Sequence, residues 1–210
     1  MENTERQHGL WFHILDVVFN IVVIVAIVAG IRTFLVSPFQ VEGTSMINTL
    51  EDSEYIVINK LAYFIGTPER GDIVVLRPPN TPNKYYVKRV IGMPGDTVIL
   101  REGNVFIKKA GETAETKLVE PYLDERNQGK TFRDPPTDGN GTEQEFVVPA
   151  KNYFVMGDNR QGSLDSRSFR LTNGDPEPFV PQKNIKGRVW FVALPITKIH
   201  AISHATYELP

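Results

Sequence analysis

A serine and a lysine are the leading nucleophile and base that the central part of this sequence can offer. The chain contains no cysteine, and no histidine occurs between residues 14 and 199, so a thiolate nucleophile and an imidazole base are both excluded there. Ser45 follows Gly43 in the segment VEGTSM, where glycine allows a tight turn that leaves space beside the hydroxyl. A serine near a glycine is also typical of an ordinary turn, so Ser45 needs a partner elsewhere in the chain.

Lys88 is the candidate partner, and it lies in the strand-like segment YYVKRVI. Adjacent side chains of a strand point to opposite faces, so an outward Arg89 would place Lys88 among apolar neighbours. Burial can lower the pKa of a lysine from about 10.4 to about 7–8, where the neutral amine can take a proton from a hydroxyl. The alternative is a lysine whose amine reaches along the surface to solvent.

A third candidate segment is the polar stretch MGDNRQGSLDSRSF at 156–169, which follows an apolar run. Asp165 and Arg167 are two residues apart, so on an extended chain they share a face and can form an ion pair. Ser163 offers a hydroxyl that can orient the lysine amine. The same polarity is also typical of a solvated loop.

The elements that must position these residues are predicted to be β-strands. Eight short runs rich in β-branched residues are separated by glycine- and proline-containing turns. The runs are EYIVINK, GDIVVLR, YYVKRVI, GDTVIL, NVFIKK, EFVVPA, NYFVMGD and GRVWFVAL. This spacing predicts a mainly β protein with a closed or nearly closed, barrel-like catalytic body. The polar residues 101–149, which include DPPTDGNGTEQE, predict an inserted β-ribbon subdomain with a mobile loop.

The run from Leu10 to Ile31 is predicted to be a transmembrane helix, because 22 residues of helix span roughly 33 Å. His13, Asp16 and Asn20 lie on one stripe of that helix, either at headgroup level or against another membrane helix. A cleaved signal peptide is the alternative. However, the preceding MENTERQHG has one arginine against two glutamates, and no clear small-x-small cleavage site ends the run.

Composition excludes several classes of function. A formal net charge of −2 and the lack of a Lys/Arg-rich run argue against a nucleic-acid partner. The lack of cysteine removes disulfides and most structural zinc sites, so neither a metal nor a cofactor is predicted. The predicted organisation is a tail at 1–9, an anchor at 10–36, a discontinuous catalytic β domain at 37–100 and 150–199, the insertion at 101–149 and a C-terminal tail at 200–210.

Together these segments closely resemble the type I signal peptidases, or leader peptidases, which are Ser/Lys proteases of the S26 family. The match runs, in family order, through VEGTSMINTL (41–50), RGDIVVLRPP (70–79), YYVKRVIGMPGDTV (85–98) and GDNRQGSLDSR (157–167). GRVWFVALP (187–195) is similar to the closing strand of the family. Four such motifs in order are highly specific.

The resemblance implies roles for the candidate residues. Ser45 would be the acyl-forming nucleophile, Lys88 the general base, and Ser163 the residue that hydrogen-bonds the lysine. Asp165 and Arg167 would be the ion pair that stiffens the site. Three further residues would belong to the supporting loop: Asp158, Asn159 and Arg160.

The resemblance also points to two departures in the turn that carries the serine. The oxyanion would be bound by the backbone N–H of Ser45 and by a donor two residues upstream. That upstream position is Gly43, which has no side chain and is like the Gram-positive branch of the family, so the second donor stays open. Where the family usually has proline, this chain has Asn48; asparagine can still form a turn, so activity is expected to be retained.

The implied substrates are signal peptides of exported preproteins, cut after small residues in an Ala-x-Ala-like pattern. An extended peptide would add a strand to an edge of the protein, and apolar pockets would contact its alternate side chains. Five residues resemble the pocket lining, each also compatible with core packing: Phe39, Val41, Met46, Leu50 and Val87. The catalytic body would then lie on the extracytoplasmic side of the cell membrane, with lipid and, transiently, the export machinery as further partners.

Two other functions fit part of the sequence. A Ser/Lys autoprotease of the repressor type shares the general fold but needs a DNA-binding domain in place of the membrane span, and none is visible. An inactive, membrane-anchored β scaffold predicts that Ser45 or Lys88 is replaced, or that Lys88 is charged and ion-paired. A Ser45 hydroxyl within hydrogen-bonding reach of a buried Lys88 amine distinguishes the protease from the scaffold.

Overall fold

The computed structural model describes residues 4–32, 36–79, 81, 83–132, 143–205 and 207, and gives no side chains for 4–8 and 10. Its first element is the helix α1 (Thr4–Gly30). Residues Trp11–Gly30 of this helix are apolar, long enough to cross a membrane, and unburied by the rest of the protein. The side-chain amide of Asn20 donates to the backbone carbonyl of Asp16 at 2.9 Å, so its polar group has a partner within the helix.

The rest of the described chain is mainly β, which confirms the predicted fold class. Its elements are β1 (Val36–Gln40), β2 (Tyr55–Asn59), α2 (Ala62–Ile65), β3 (Ile73–Leu76), β4 (Tyr86–Gly92), β5 (Thr97–Arg101), β6 (Asn104–Lys108), β7 (Glu115–Lys117), β8 (Gln144–Val147), β9 (Asn152–Met156), β10 (Val180–Pro181), β11 (Ile185–Leu194) and β12 (His200–Ala201). Each of the eight predicted runs forms one of these strands.

The larger sheet contains eight strands in the order β1-β2-β11-β3-β4-β9-β10, with β12 paired to β11. Every pairing in it is antiparallel. The sheet curls into a half-barrel, and the path of its described strands ends at β1 and β10 without closing into a ring.

The strand β3 shows why the larger sheet is stable. All four residues of its sequence IVVL are buried. Ile73 and Val75 pack into one core cluster, with Ile56 and Val189, whereas the alternate residues of β3 pack into a cluster on the opposite face. A strand that is covered on both faces needs a continuous apolar run, as this sequence has.

The smaller sheet has the order β7-β6-β5-β8 and packs against the larger one. Their shared core contains Ile91 and Phe154 from the larger sheet and Val98 and Ile107 from the smaller one. The smaller sheet begins with β5, just before the start of the predicted insertion. The division of the chain into domains stays a prediction. Residues 133–142, which include most of the predicted mobile loop, lie outside the described residues.

The C-terminal segment 200–205, with Tyr207, connects the two sheets. The N–H of Ile202 donates to the carbonyl of Trp190 at 2.9 Å in β11. Further along, the Tyr207 hydroxyl lies 2.8 Å from that of Tyr122, which belongs to the loop after β7. This segment therefore packs against both β11 of the larger sheet and the loop after β7.

Candidate active site

Ser45 lies in a turn that backbone hydrogen bonds and core packing hold in place. The N–H of Val41 donates to the Glu54 carbonyl at 2.7 Å, which closes the loop between β1 and β2. Met46 and Leu50 are buried in the core, and the Leu50 N–H donates to the Met46 carbonyl at 2.8 Å. Because these apolar neighbours point into the core, Ser45 stays at the surface of the turn, where it is half-buried.

Lys88 is near the centre of β4, opposite Val74 of β3, and only 3 % of it is exposed. Its Nζ lies 2.7 Å from the Oγ of Ser45, within hydrogen-bonding distance. The amine also donates to the carbonyl of Val87 at 2.8 Å. The two residues, 43 positions apart in the chain, therefore meet as the sequence predicted.

Burial lowers the pKa of Lys88 from 10.5 to about 8. The carboxylates of Asp165 and Asp158 act in the opposite direction, and the charge of Arg167 adds to the lowering. The net change corresponds to about 3 kcal/mol disfavouring the charged amine. Near neutral pH a useful fraction of Lys88 is therefore the neutral amine that a general base must be.

Arg89 differs from the expected outward side chain, because it is also buried. It points to the face opposite Lys88, where Nε and Nη2 donate to the two carboxylate oxygens of Asp158 at 2.9 and 2.7 Å. Its guanidinium also stacks on the ring of Tyr122 at 3.8 Å. The two side chains thus point to opposite faces, as strand alternation predicts, but residues such as Tyr122 cover the second face too, which the pattern of a single strand does not reveal.

Asp165 and Arg167 form the predicted ion pair, with their nearest atoms 2.8 Å apart and both side chains buried. Burial raises the pKa of Asp165, but the charge of Arg167 and the hydrogen bonds to the carboxylate outweigh it and hold that pKa below its usual value. The Gly157 N–H also donates to Asp165 at 3.0 Å, so the carboxylate stabilises the start of its own loop.

The loop after β9 supports the serine turn directly. The backbone N–H of Asn159 donates to the Ser45 carbonyl at 3.0 Å, and its side-chain amide donates to the Thr44 carbonyl at 3.1 Å. A Cβ at Gly157 would overlap both the Ser45 carbonyl oxygen and the Oγ of Ser163, so only glycine leaves room there. Asn159 was predicted as a supporting residue; the need for glycine at 157 comes from a tertiary contact.

Ser163 is buried beside Gly157. Its Oγ makes no hydrogen bond of ordinary geometry to a described residue, although its hydroxyl is close enough to the Asp165 carboxylate to help lower the pKa of that group. The Lys88 amine is instead bonded to Ser45 and Val87. The predicted bond from Ser163 to the lysine therefore stays a prediction.

A groove of about 630 Å³ opens beside the serine and the lysine. Of the predicted pocket residues, four line it: Phe39, Val41, Met46 and Val87. Leu50 does not, because it is fully buried in the core beneath the groove, and the prediction for it is corrected accordingly. Tyr85 also lines the groove and meets the ring of Phe39 edge-on at 5.1 Å. Tyr85 was not predicted from the sequence, because its contact with Phe39 joins segments that are distant in the chain.

Gly43 has φ 88°, a conformation that favours glycine, and its N–H donates to the Asp52 carboxylate at 2.6 Å. Its N–H could bind an oxyanion only if that bond were broken. The N–H of Ser45, by contrast, makes no hydrogen bond to any described residue. Ser45 is thus the better supported of the two predicted oxyanion donors.

Asn48 completes the turn with φ 78°, which the ring of proline cannot reach. The backbone here is therefore one that proline could not adopt. Hydrogen bonds, first from the side chain of Asn48 and then from Asn127, lower the pKa of Asp124. Asn48 thus links the serine turn to the loop after β7.

His200 and His204, whose ring nitrogens have backbone and carboxylate partners, line a different cavity and not the groove. Among the described residues, no group of three or more His, Cys, Asp or Glu side chains is placed to hold a metal ion.

The chain is similar in sequence to proteins of known family. Residues 14–194 match the family model described as signal peptidase, peptidase S26. A signal peptidase I from Bacillus licheniformis is 38 % identical over 94 % of this chain and 96 % of its own length. One from Pseudomonas aeruginosa is 36 % identical, covering 79 % of this chain and 67 % of its own.

A crystal structure of a signal peptidase I from Enterococcus faecalis V583 is 29 % identical, with a TM-score of 0.42, over 58 % of this chain and 96 % of that one. The family match spans most of this chain, from within α1 to the end of β11. This chain is therefore an enzyme of the signal peptidase family, peptidase S26.

Proposed function

We propose that this enzyme cleaves signal peptides from exported preproteins through an acyl-enzyme formed on Ser45, with Lys88 as the general base. The single observation that carries the proposal is the 2.7 Å approach of a buried lysine amine to the serine hydroxyl. An amine with a pKa of about 8 can be neutral at working pH, and the hydroxyl that it must deprotonate is already in contact.

The reaction has two halves. Neutral Lys88 accepts the Oγ proton while Ser45 attacks the scissile carbonyl carbon, and the Ser45 N–H donates to the developing oxyanion. The C–N bond then breaks, the lysine ammonium protonates the leaving amine, and an ester on Ser45 remains. In the second half, Lys88 deprotonates a water molecule that attacks the ester carbon. The bond between that carbon and Oγ then breaks, the lysine ammonium returns its proton to Oγ, and the signal peptide leaves as a carboxylic acid.

The strand pairing leaves a place for an extended substrate. β1 pairs with β2 on one side, and its other edge has no strand partner among the described residues. Tyr86, Val87 and Lys88 pair with β3 only, because the pairing of β4 with β9 begins at Arg89. A peptide can lie between these edges, and the apolar walls of the groove favour small side chains such as alanine near the cut.

The test is cleavage of a purified preprotein by the full-length chain in lipid vesicles, with sequencing of the new N-terminus. We expect one cut directly after an Ala-x-Ala-like site, and loss of that cut when both alanines are changed to isoleucine. Equal cleavage of the isoleucine substrate would contradict the proposed pocket chemistry.

The alternatives gain no support from the site. An inactive scaffold predicts a charged, ion-paired Lys88, yet its amine contacts a hydroxyl and a carbonyl and forms no ion pair with any described residue. A repressor-type autoprotease needs a DNA-binding domain before the catalytic body. The described residues there form the apolar helix α1 instead. The proposed catalytic domain comprises 37–100 and 150–199.

Lipid contact is proposed for α2, which displays two large apolar side chains. Phe64 and Ile65 are 87 and 80 % exposed. Between them and the core, the Tyr63 hydroxyl donates to the buried Asp72 carboxylate at 2.6 Å, which fixes the helix. α2 follows β2, whose last residue pairs with Val36, six positions beyond the end of α1. We therefore expect Phe64 and Ile65 to lie close to where the chain leaves the bilayer.

A single fluorophore tests this contact, because the chain has no cysteine of its own. With a polarity-sensitive label at Phe64→Cys, reconstitution into vesicles should shift the emission to the blue, since the label enters an apolar phase. Glu112→Cys, at an exposed turn after β6, is the control and should keep the emission of a label in water. Matching spectra at the two positions would exclude lipid contact by α2.

The catalytic body is proposed to lie on the extracytoplasmic side, because signal peptides are cut after translocation. In intact cells, a membrane-impermeant maleimide should label Glu112→Cys from outside. Labelling only after lysis would contradict this orientation.

A further inference from the structure

The loop that supports Ser45 contains a buried charge whose partner comes from outside the catalytic motifs. The side chain of Arg160 has no exposed surface. Both of its terminal nitrogens donate to the carboxylate of Glu120, which is itself only 9 % exposed. Nη1 also donates to the Thr131 hydroxyl at 2.7 Å. A buried guanidinium without a carboxylate is strongly unfavourable, so Glu120 determines whether Arg160 can occupy this position.

Arg160 in turn fixes the loop backbone. Its Nε donates to the Gly157 carbonyl at 3.1 Å, and its own carbonyl accepts from Nη1 of Arg167 at 2.8 Å. Between these two points lies Asn159, whose N–H donates to the Ser45 carbonyl. Three polar contacts therefore lead from Glu120 to Ser45. The first joins Glu120 to Arg160, the second joins Arg160 to the carbonyl of Gly157, and the third joins Asn159 to the carbonyl of Ser45.

Glu120 contacts Arg160 directly and Arg89 only through Tyr122. It follows β7, and Leu118 and Leu123 on either side of it are buried. Its Oε1 accepts from the Tyr122 hydroxyl at 2.7 Å, and the ring of Tyr122 stacks on Arg89, the partner of Asp158. The segment after β7 thus lies beneath the loop that supports Ser45 and beneath the strand that carries Lys88.

We propose that Glu120 is a positioning residue for catalysis, which holds the 157–160 turn, and through it Ser45 and its distance to Lys88, by neutralising Arg160. The proposal rests on the function proposed above. It gives the segment after β7 a role in the reaction although none of its residues lines the groove.

The test compares Glu120→Gln with Glu115→Gln in the full-length chain, with preprotein as substrate. Glu115 pairs with Arg101 on the same smaller sheet, but both side chains are about one-third exposed and lie away from the loop. An exposed pair contributes little, so this control should keep wild-type kcat and KM. Glu120→Gln should lower kcat about 10- to 100-fold with little change in KM, because misplacing the nucleophile affects the chemical step.

The pH profile separates positioning from simple loss of folded protein. The charges that face Lys88 are those of Asp165, Asp158 and Arg167, all on or beside the loop. The Asp158 carboxylate raises the pKa of Lys88, so a displaced 157–160 turn that carries Asp158 away from the amine disfavours the ammonium. The acid limb of kcat/KM should therefore move to lower pH, by about half a unit, in Glu120→Gln alone. A fall in activity with an unmoved acid limb would overturn the proposal, as would wild-type kcat.

Thr131→Val provides the second variant in case Glu120→Gln does not fold. It removes one neutral hydrogen bond to Arg160 and keeps the ion pair, so the fold should persist while kcat falls about threefold. Unchanged kcat in Thr131→Val would overturn the proposal. If the wild-type chain and Glu115→Gln cleave the preprotein, the proposed function stands whichever result Glu120 gives; if neither cleaves it, the function itself is wrong.

Discussion

Replacement of Ser45 by alanine should reduce preprotein cleavage by about 10⁴-fold or more while leaving the protein folded. The hydroxyl is the only part of the side chain that reaches Lys88, and alanine keeps the turn that Met46 and Leu50 hold in place. Without Oγ no ester can form, so the residual rate is that of water in the groove. Initial rates in vesicles, together with the thermal unfolding midpoint, measure both halves of this expectation.

The matched control is Ser37→Ala in β1. Its Oγ donates to the Arg32 carbonyl at 3.3 Å, and the residue does not line the groove. Cleavage by this variant should stay within about twofold of wild type, because a solvent-accessible hydrogen bond contributes little. Turnover by Ser45→Ala at the rate of Ser37→Ala would assign the nucleophile to another residue.

Lys88→Arg should be inactive at every pH although it keeps the positive charge. Guanidinium stays protonated in proteins, so it cannot accept the Ser45 proton. Wild-type enzyme, by contrast, should lose kcat/KM about tenfold per pH unit below a pKa of about 8 and level off above it, because only the neutral amine is a base. The sign follows from burial, which lowers this pKa and moves the active range toward neutrality.

Rate–pH profiles of wild type, Lys88→Arg and Lys84→Arg provide the measurement. Lys84 lies at the edge of the same groove and is exposed, so arginine there should leave the acid limb in place. Activity in Lys88→Arg with a limb like that of wild type would show that another group is the base.

The sequence predicted the candidate reacting residues better than it predicted the residues that surround them. The lack of cysteine and of central histidine made a serine with a lysine the leading candidate pair, and strand alternation placed Lys88 and Arg89 on opposite faces. It could not predict that Arg89 is buried as well, because the covering residue Tyr122 comes from a segment 33 positions away. In the same way Leu50 and Val41 are both apolar, yet only packing decides which of them borders the groove.

Residue types and local periodicity by themselves determined the strands and the apolar helix and indicated Ser45 and Lys88 as a candidate pair, since these depend on side-chain chemistry and on contacts between near neighbours. Tertiary structure alone decided that the Lys88 amine is buried and lies 2.7 Å from the Ser45 hydroxyl. It also decided that residue 157 must lack a side chain and that Glu120 neutralises Arg160. The physical reason is that desolvation and charge pairing depend on which distant segments exclude water from one another, and the packed chain alone specifies that.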